Sequence, residues 1–163
     1  MAITDNGRKL RKLKISKINL SNPEAVQLII ELIQKHKNIL YSLDLSWTLL
    51  PAASLLIIAE ELSEIPQMLK SLSLAYNCLN FNPVTPDYQH SVNFISKLMA
   101  YIDKSEILNH LDLSGMNIPF DHLVHLAEHL SIAPCLMGLH LSDNGLSSEP
   151  KVYNKMLEIF GIS

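Results

Sequence analysis

A frame of regularly spaced leucines constrains this chain more than any other feature. The frame L-x-x-L-x-L-x-x-N-x-L fits the sequence five times, with Leu or Ile at positions 1, 4, 6 and 11 of every copy. The copies begin at Leu10, Leu40, Leu69, Leu108 and Leu136. Successive starts differ by 30, 29, 39 and 28 residues, so the unit is 28–30 residues long and one copy carries an insertion. A period in this range indicates a solenoid of stacked units.

Each unit divides into a strand and a helix. The alternating L-x-L half predicts a short strand with one buried face. Apolar residues at helical spacing follow in the second and fourth units, at Leu55, Ile58, Ala59 and Leu62 and at Leu123, Leu126, Ala127 and Leu130. Pro51, Pro119 and the pair Asn22-Pro23 predict helix starts, with the first two prolines placed in the first helical turn. Ile65-Pro66 and Ala133-Pro134 predict helix ends.

Stacking closes the apolar seam that a single unit leaves open. Parallel strands lie about 4.8 Å apart, whereas packed helices need about 8–10 Å, so the stack bends with its strands inside. Five copies with a full helix in each resemble the ribonuclease-inhibitor-like class of leucine-rich repeat proteins. The resemblance implies an α/β leucine-rich repeat solenoid, a curved right-handed arc with a parallel sheet on its concave face and helices on its convex face. We expect residues 1–163 to form a single domain of about five repeats.

Two finer points follow from the resemblance. Residues 60–79, EELSEIPQMLKSLSLAYNCL, also resemble leucine-rich repeat effectors that intracellular bacteria inject into host cells. Frame position 9, where the family places a turn-bonding asparagine, departs from the pattern because only two of the five copies have one. It reads Ile18, Thr48, Asn77, Met116 and Asn144. The broken asparagine ladder predicts looser turns.

The insertion falls in the third unit, in NFNPVTPDYQH at residues 80–90. Its composition predicts a loop between strand and helix at one rim of the arc. One interpretation is a tolerated lengthening, which costs little free energy. The other gives Phe81 and Tyr88 a contact with a partner.

The outward-facing strand positions supply a candidate binding surface. Trp47 and Tyr76 are neighbours in the column at position 8, and Tyr41 lies on the same strand as Trp47. Exposed aromatic residues often anchor protein interfaces. The alternative is that loops of the solenoid cover them. The polar surround of this candidate site consists of Asp44, His110, Asp112 and His140.

Charge is distributed unevenly along the chain. The net charge of the whole is −3, but residues 1–17 carry +5 and the remainder −8. Arg11, Lys12, Lys14 and Lys17 surround the first strand. They either form a charged end repeat that discourages edge pairing or contact an acidic partner or a phosphate-rich surface. No aromatic residues alternate with them, which argues against nucleic acid.

Catalysis, metal and cofactors are not expected. Asp112 and His140 share a column near several serines, but a triad also needs a bonded nucleophile and an oxyanion site in a cleft. His122, His125 and His129 form one stripe on the fourth helix with no further ligand evident, which predicts a solvated helix flank. Cys78 and Cys135 lie two strands apart and should be free thiols.

The sequence therefore predicts a non-enzymatic module that binds a protein partner. The longest apolar run, residues 49–59, is 11 residues and too short to span a membrane. No secretion signal follows the basic N-terminus, so we expect a cytoplasmic protein, or one in the host cytosol if it is an injected effector. An apolar final helix (Tyr153, Met156, Leu157, Phe160) predicts self-association at that end or a longer chain. Alternatives left open are the recognition part of a larger protein or enzyme, and an anion or nucleic-acid binder.

Overall fold

The computed structural model describes residues 9–64, 68–145 and 150–161, with residues 150–153 described for the backbone only. Within these ranges strands and helices alternate, as the two-part repeat predicts. The strands are β1 (Lys12–Lys14), β2 (Ser42–Asp44), β3 (Ser71–Ser73), β4 (His110–Asp112) and β5 (Gly138–His140). The helices are α1 (Pro23–His36), α2 (Ala52–Glu64), α3 (Asp87–Lys104), α4 (Phe120–Ser131) and α5 (Pro150–Ile159).

The five strands form one parallel sheet in chain order, β1-β2-β3-β4-β5. Its register places the leucines of frame position 4 side by side, namely Leu13, Leu43, Leu72, Leu111 and Leu139. The middle three are 0% exposed. The first and last are half-buried, because each has a described strand on one side only. The predicted leucine spine is confirmed.

The helices pack their predicted apolar faces onto the sheet. All eight residues named above for α2 and α4 are buried at 2% exposure or less. Asn22 caps α1, since its side chain accepts a hydrogen bond of 2.9 Å from the Glu24 N–H, and Pro23 is the first helical residue. Pro51 and Pro119 lie one residue before their helices, not in the first turn as predicted. Pro119 has extended backbone (φ −64°, ψ 157°), and its carbonyl accepts the first helical bond. The predicted helix end at Ile65-Pro66 lies outside the described residues.

The loop in the third unit is shorter than predicted, because it covers residues 80–86 and not 80–90. Helix α3 begins at Asp87, so residues 87–90 form its first turn. An aspartate in that turn favours the helix because it interacts with the positive end of the helix dipole. Phe94, Ile95 and Leu98 then form the buried stripe. The extra length of this unit is therefore shared between a loop over 80–86 and an 18-residue helix.

The turn of the second unit, where threonine replaces the asparagine, is tied by Asn77 of the third unit. Asn77 is 0% exposed, and its side chain donates to the carbonyls of Leu45 (2.8 Å) and Leu74 (2.9 Å). Its Oδ1 accepts from the Leu50 N–H (2.9 Å) and lies 3.0 Å from the Thr48 hydroxyl, whose single proton has a closer acceptor in the Leu45 carbonyl at 2.7 Å. One asparagine thus joins its own turn to the turn of the preceding unit, and a threonine there supplies a hydroxyl in place of a second amide.

Candidate protein-binding surface

Frame position 8 has the same unusual backbone in all five units. Its residues have positive φ between 56° and 64°, a backbone conformation that is strained for any residue except glycine. They are Lys17, Trp47, Tyr76, Gly115 and Asp143. The first four of these also donate a backbone hydrogen bond of 2.7–3.2 Å to the carbonyl at position 7 of the next unit. The side chains at position 8 therefore follow one another across the turns at the spacing of the strands.

This spacing brings the two predicted aromatic residues into contact. The rings of Trp47 and Tyr76 are stacked, with centroids 3.9 Å apart and planes inclined by 15°. Trp47 is 50% exposed, and Tyr76 is half-buried. The described loops of the solenoid therefore do not cover the indole, and one surface of the stack is open to a partner.

The stacked pair continues toward the last unit. The Tyr76 hydroxyl donates a hydrogen bond of 2.7 Å to Asp143 Oδ2 and passes over Gly115 on the way. A Cβ atom on Gly115 would lie 2.3 Å from Tyr76 Cδ1, so only glycine leaves room for the ring. The bond to the Asp143 carboxylate raises the pKa of Tyr76 above its usual 10.0. We call Trp47, Tyr76, Gly115 and Asp143 the aromatic ridge.

The two rings were predicted from the sequence, but the hydrogen bond that extends the ridge was not. The signal was present in the column at position 8, where a glycine separates a tyrosine from an aspartate. When glycine lies between two polar residues of one column, no side chain blocks the space between them, and the two polar groups can meet across the glycine.

Asp44 and Asp112, predicted to surround the site, serve mainly to hold the turns. Asp44 Oδ1 accepts from the Ser46 N–H (3.1 Å) and hydroxyl (2.7 Å), and Asp112 Oδ1 accepts from the Ser114 N–H (3.1 Å). Local bonds of this kind favour Asp and Ser in turns. They explain why the phrase LDLS occurs twice in the sequence.

Asp44 also forms an ion pair. Its Oδ2 lies 2.7 Å from Lys14 Nζ on the neighbouring strand. Burial by itself raises the pKa of Asp44, but the bonds from Lys14 and Ser46 outweigh it and hold the pKa below its usual 3.8. Both oxygens of this carboxylate are therefore already engaged within the chain.

The two predicted histidines meet on the concave face. The rings of His110 and His140 have centroids 5.0 Å apart, inclined by 54°. Gly138 makes room for this pair, because a Cβ there would lie 2.6 Å from His110 Nδ1. Asp112 is paired with His140 in the sheet register. Within the described residues, the carboxylate of Asp112 accepts hydrogen bonds from the Ser114 N–H and the Ser73 hydroxyl.

Tyr41 is separated from the aromatic ridge. It precedes β2, whereas Trp47 follows that strand, so the two lie at opposite ends of it. The ring of Tyr41 instead has Lys12 Nζ 5.4 Å from its centroid. The three aromatic residues that the sequence grouped therefore belong to two surfaces.

The four cations around the first strand are also divided. Arg11 lies before β1 and lines a cavity at the edge where the strands begin. Lys12 lies near Tyr41, Lys14 is paired with Asp44, and Lys17 occupies the turn after the strand. They do not form one uniform basic patch.

The insertion and the histidine stripe meet each other. The rings of Phe81 and His122 have centroids 4.7 Å apart, and Phe81 packs against the core. Burial lowers the pKa of His122, and nearby His125 lowers it further. His129 Nδ1 lies 2.7 Å from Asp103 Oδ1, while His125 is exposed. The stripe is therefore only partly exposed to solvent, whereas the sequence predicts a solvated flank. No group of three or more metal-binding side chains occurs among the described residues.

Three other features bear on the remaining predictions. Cys78 and Cys135 are free and exposed, as expected. Met156 is 8% exposed and Phe160 packs against the core, while the side chain of Tyr153 lies outside the described residues. Self-association at this end stays a prediction. In the part of the chain that the structure describes, every helix is too short or too polar to cross a bilayer.

The parallel sheet, the alternating helices and the aligned leucines define an α/β leucine-rich repeat arc. No protein-family model matches the chain, and no curated protein matches it. Among solved structures, the chain is similar to one described as "Leiomodin-1 Actin-Binding Site 2 (ABS2)", with a TM-score of 0.64. The match covers 93% of this chain and 79% of that chain at 10% sequence identity, so the similarity concerns the fold.

Proposed function

We propose that this chain is a protein-interaction module that binds a partner through the aromatic ridge, the adjacent concave face and the rim loop over 80–86. The observation that carries the proposal is the Trp47–Tyr76 stack, with half of the indole exposed. Aromatic residues of this kind dominate the binding energy of many protein interfaces.

The backbone supports this role because it holds the rings in place before binding. Trp47 and Tyr76 each have a fixed turn conformation and a ladder hydrogen bond, and Tyr76 is tied to Asp143. A side chain that is already ordered loses less entropy on association. The leiomodin-1 structure, which shares the fold, is described as binding actin, itself a protein, in line with a protein partner for this chain.

More narrowly, we propose an effector that acts in the cytosol of a host cell. The resemblance of residues 60–79 to bacterial leucine-rich repeat effectors supports this role. The test is recovery of partners from host-cell and bacterial lysates with the same tagged chain. Specific capture from the host lysate alone is expected, whereas capture from the bacterial lysate alone would contradict the effector role.

The binding surface is tested with two double variants of the full chain. Trp47→Ala/Tyr76→Ala removes the stack, and Leu28→Ala/Ile57→Ala removes comparably exposed apolar side chains from the convex helices. Once a partner is isolated, titration calorimetry should show the first variant binding about 30-fold or more weakly, from about 2 kcal/mol or more. The second variant should match the wild type. Circular dichroism verifies that both remain folded.

The outcome also separates this function from anion binding. If both variants bind with equal affinity and binding weakens steeply as the salt concentration rises, the binding site consists of the cations of the first strand and not of the aromatic ridge. Equal affinity with little salt dependence would place the interface elsewhere on the chain.

A further inference from the structure

The edge of the sheet where the strands begin carries a second row of side chains, far from the aromatic ridge. Frame position 2 forms a continuous backbone ladder in which each N–H donates to the carbonyl of the preceding unit at 2.8–2.9 Å. The residues in the row are Arg11, Tyr41, Lys70, Asn109 and Met137. Their side chains therefore succeed one another at about the 4.8 Å spacing of the strands.

Two open cavities lie along this row. One of about 370 Å³ is lined by Arg11, Tyr41 and Lys70 above Ile39, Met68 and Ile107. The other, of about 440 Å³, shares Lys70 and Ile107 with the first and extends to Asn109 and Met137. Because they share two lining residues, they form one channel, which we call the strand-start groove.

The chemistry of the groove is apolar and cationic. Met68 is 41% exposed and Met137 is 88% exposed, and thioether side chains adapt readily to the shape of a bound apolar surface. Among the described residues, the charged side chains that line the two cavities are those of Arg11 and Lys70, and none of the lining side chains is a carboxylate. Lys12 adds a third cation next to the Tyr41 ring. The complementary partner is therefore apolar and acidic.

The spacing of the row favours a helix over an extended segment. Arg11 and Lys70 are two strands apart, about 10 Å, with Tyr41 midway. Residues seven apart on a helix lie about 10.5 Å apart on one face, and those three or four apart lie halfway between. In an extended segment the side chains on one face are two residues apart, about 6.7 Å, so an acid–apolar–acid series spans about 13 Å and overshoots the distance of about 10 Å between Arg11 and Lys70.

We propose that the strand-start groove binds an acidic amphipathic helix of a partner protein. Its acidic residues, spaced about seven apart, meet Arg11 and Lys70, the apolar residues between them cover Tyr41 and Met68, and the part of the helix beyond Lys70 packs on Met137. This surface lies at the opposite end of the strands from Trp47, so it adds a second, independent contact to the proposed function.

The test uses a fluorescein-labelled helical peptide of about 15 residues, with glutamates roughly seven apart and leucines midway. A control peptide replaces the glutamates by lysine. Fluorescence anisotropy with the full chain should show binding of the acidic peptide and at least about tenfold weaker binding of the lysine peptide. Equal affinity for both peptides would overturn the proposal.

Variants locate the binding site. Lys70→Glu and Met137→Asp, both on exposed side chains, should each weaken binding of the acidic peptide by roughly fivefold or more. Lys97→Glu, an equivalent charge reversal on the exposed face of α3, should leave it unchanged, as should Trp47→Ala. Unchanged affinity in both groove variants, or a loss in Trp47→Ala, would refute the groove. Because Met137 is 88% exposed, its variant tests the site even if Lys70→Glu alters folding.

Discussion

Asn77→Ala tests the buried connection between the second and third units. The change removes three side-chain hydrogen bonds of 2.8–2.9 Å from a site that is 0% exposed. Thr48 keeps its own bond of 2.7 Å to the Leu45 carbonyl. The Leu50 N–H and the Leu74 carbonyl lose the side-chain partner that joins them, and water has no access to replace it.

The expected loss is about 3 kcal/mol in the free energy of unfolding, taken as three bonds at about 1 kcal/mol each. Asn144 provides a matched comparison within the same chain. Its side chain makes the three equivalent bonds, to Ile118, Leu113 and Leu141, and accepts a fourth from the Met116 N–H, but it is only half-buried. Water can satisfy the exposed groups in that variant, so Asn144→Ala should cost only about 1–2 kcal/mol.

Urea unfolding of the two variants and the wild type measures the difference, with circular dichroism and the fluorescence of the single tryptophan as probes. Wild-type-like m values in all three proteins would show that the same transition is being compared. The argument from burial is wrong if Asn144→Ala destabilises the chain as much as Asn77→Ala does, or if Asn77→Ala costs less than about 1 kcal/mol.

Three further predictions concern the aromatic ridge and the first ion pair. Gly115→Ala should lower the unfolding temperature and change tryptophan fluorescence, because its Cβ would lie 2.3 Å from the Tyr76 ring and its φ of +64° strains any side chain. Asp143→Asn should lower the pKa of Tyr76 toward 10.0, observed by ultraviolet titration, since the neutral amide no longer opposes phenolate formation. Because the pKa of Asp44 is lower in the folded than in the unfolded chain, Asp44 stabilises the fold at any pH above its unfolded-state pKa. This stabilisation is lost as the pH falls through the folded-state pKa. Asp44→Asn, which also removes the pair with Lys14, should therefore unfold at a lower temperature than wild type at about pH 6, and the two should converge as the pH falls well below 3.8.

Matched controls make these predictions specific. Gly161→Ala introduces the same positive-φ strain (φ +66°) with no atom within 4 Å of the new Cβ, so it should leave tryptophan fluorescence unchanged. A fluorescence change of equal size in both glycine variants would contradict the proposed clash with the ring. Asp121→Asn, on the exposed start of α4, should not shift the tyrosine titration. A difference between Asp44→Asn and wild type that grows as the pH falls would reverse the assigned sign for Asp44.

Local patterns in the sequence were sufficient for the architecture. Leucine spacing sets which residues of each unit face the core, and repetition of that spacing requires neighbouring units to stack in register. For this reason Leu43 and Leu72 could be placed side by side without coordinates. The cap at Asn22 was equally predictable, because its hydrogen bond involves only adjacent residues.

The surface depended on contacts between units, which the leucine frame does not specify. Tyr76 reaches Asp143 67 positions along the chain, across a glycine, and this path exists only once three turns have been stacked. Tyr41 and Trp47 were assigned to one site because they belong to one strand and are six positions apart, but the strand between them places them at its opposite ends. The sequence by itself determined the repeat, the buried leucines and the exposed aromatic residues. The tertiary structure alone decided which exposed residues share a surface, since that depends on side-chain directions after each turn and on what the neighbouring unit leaves open.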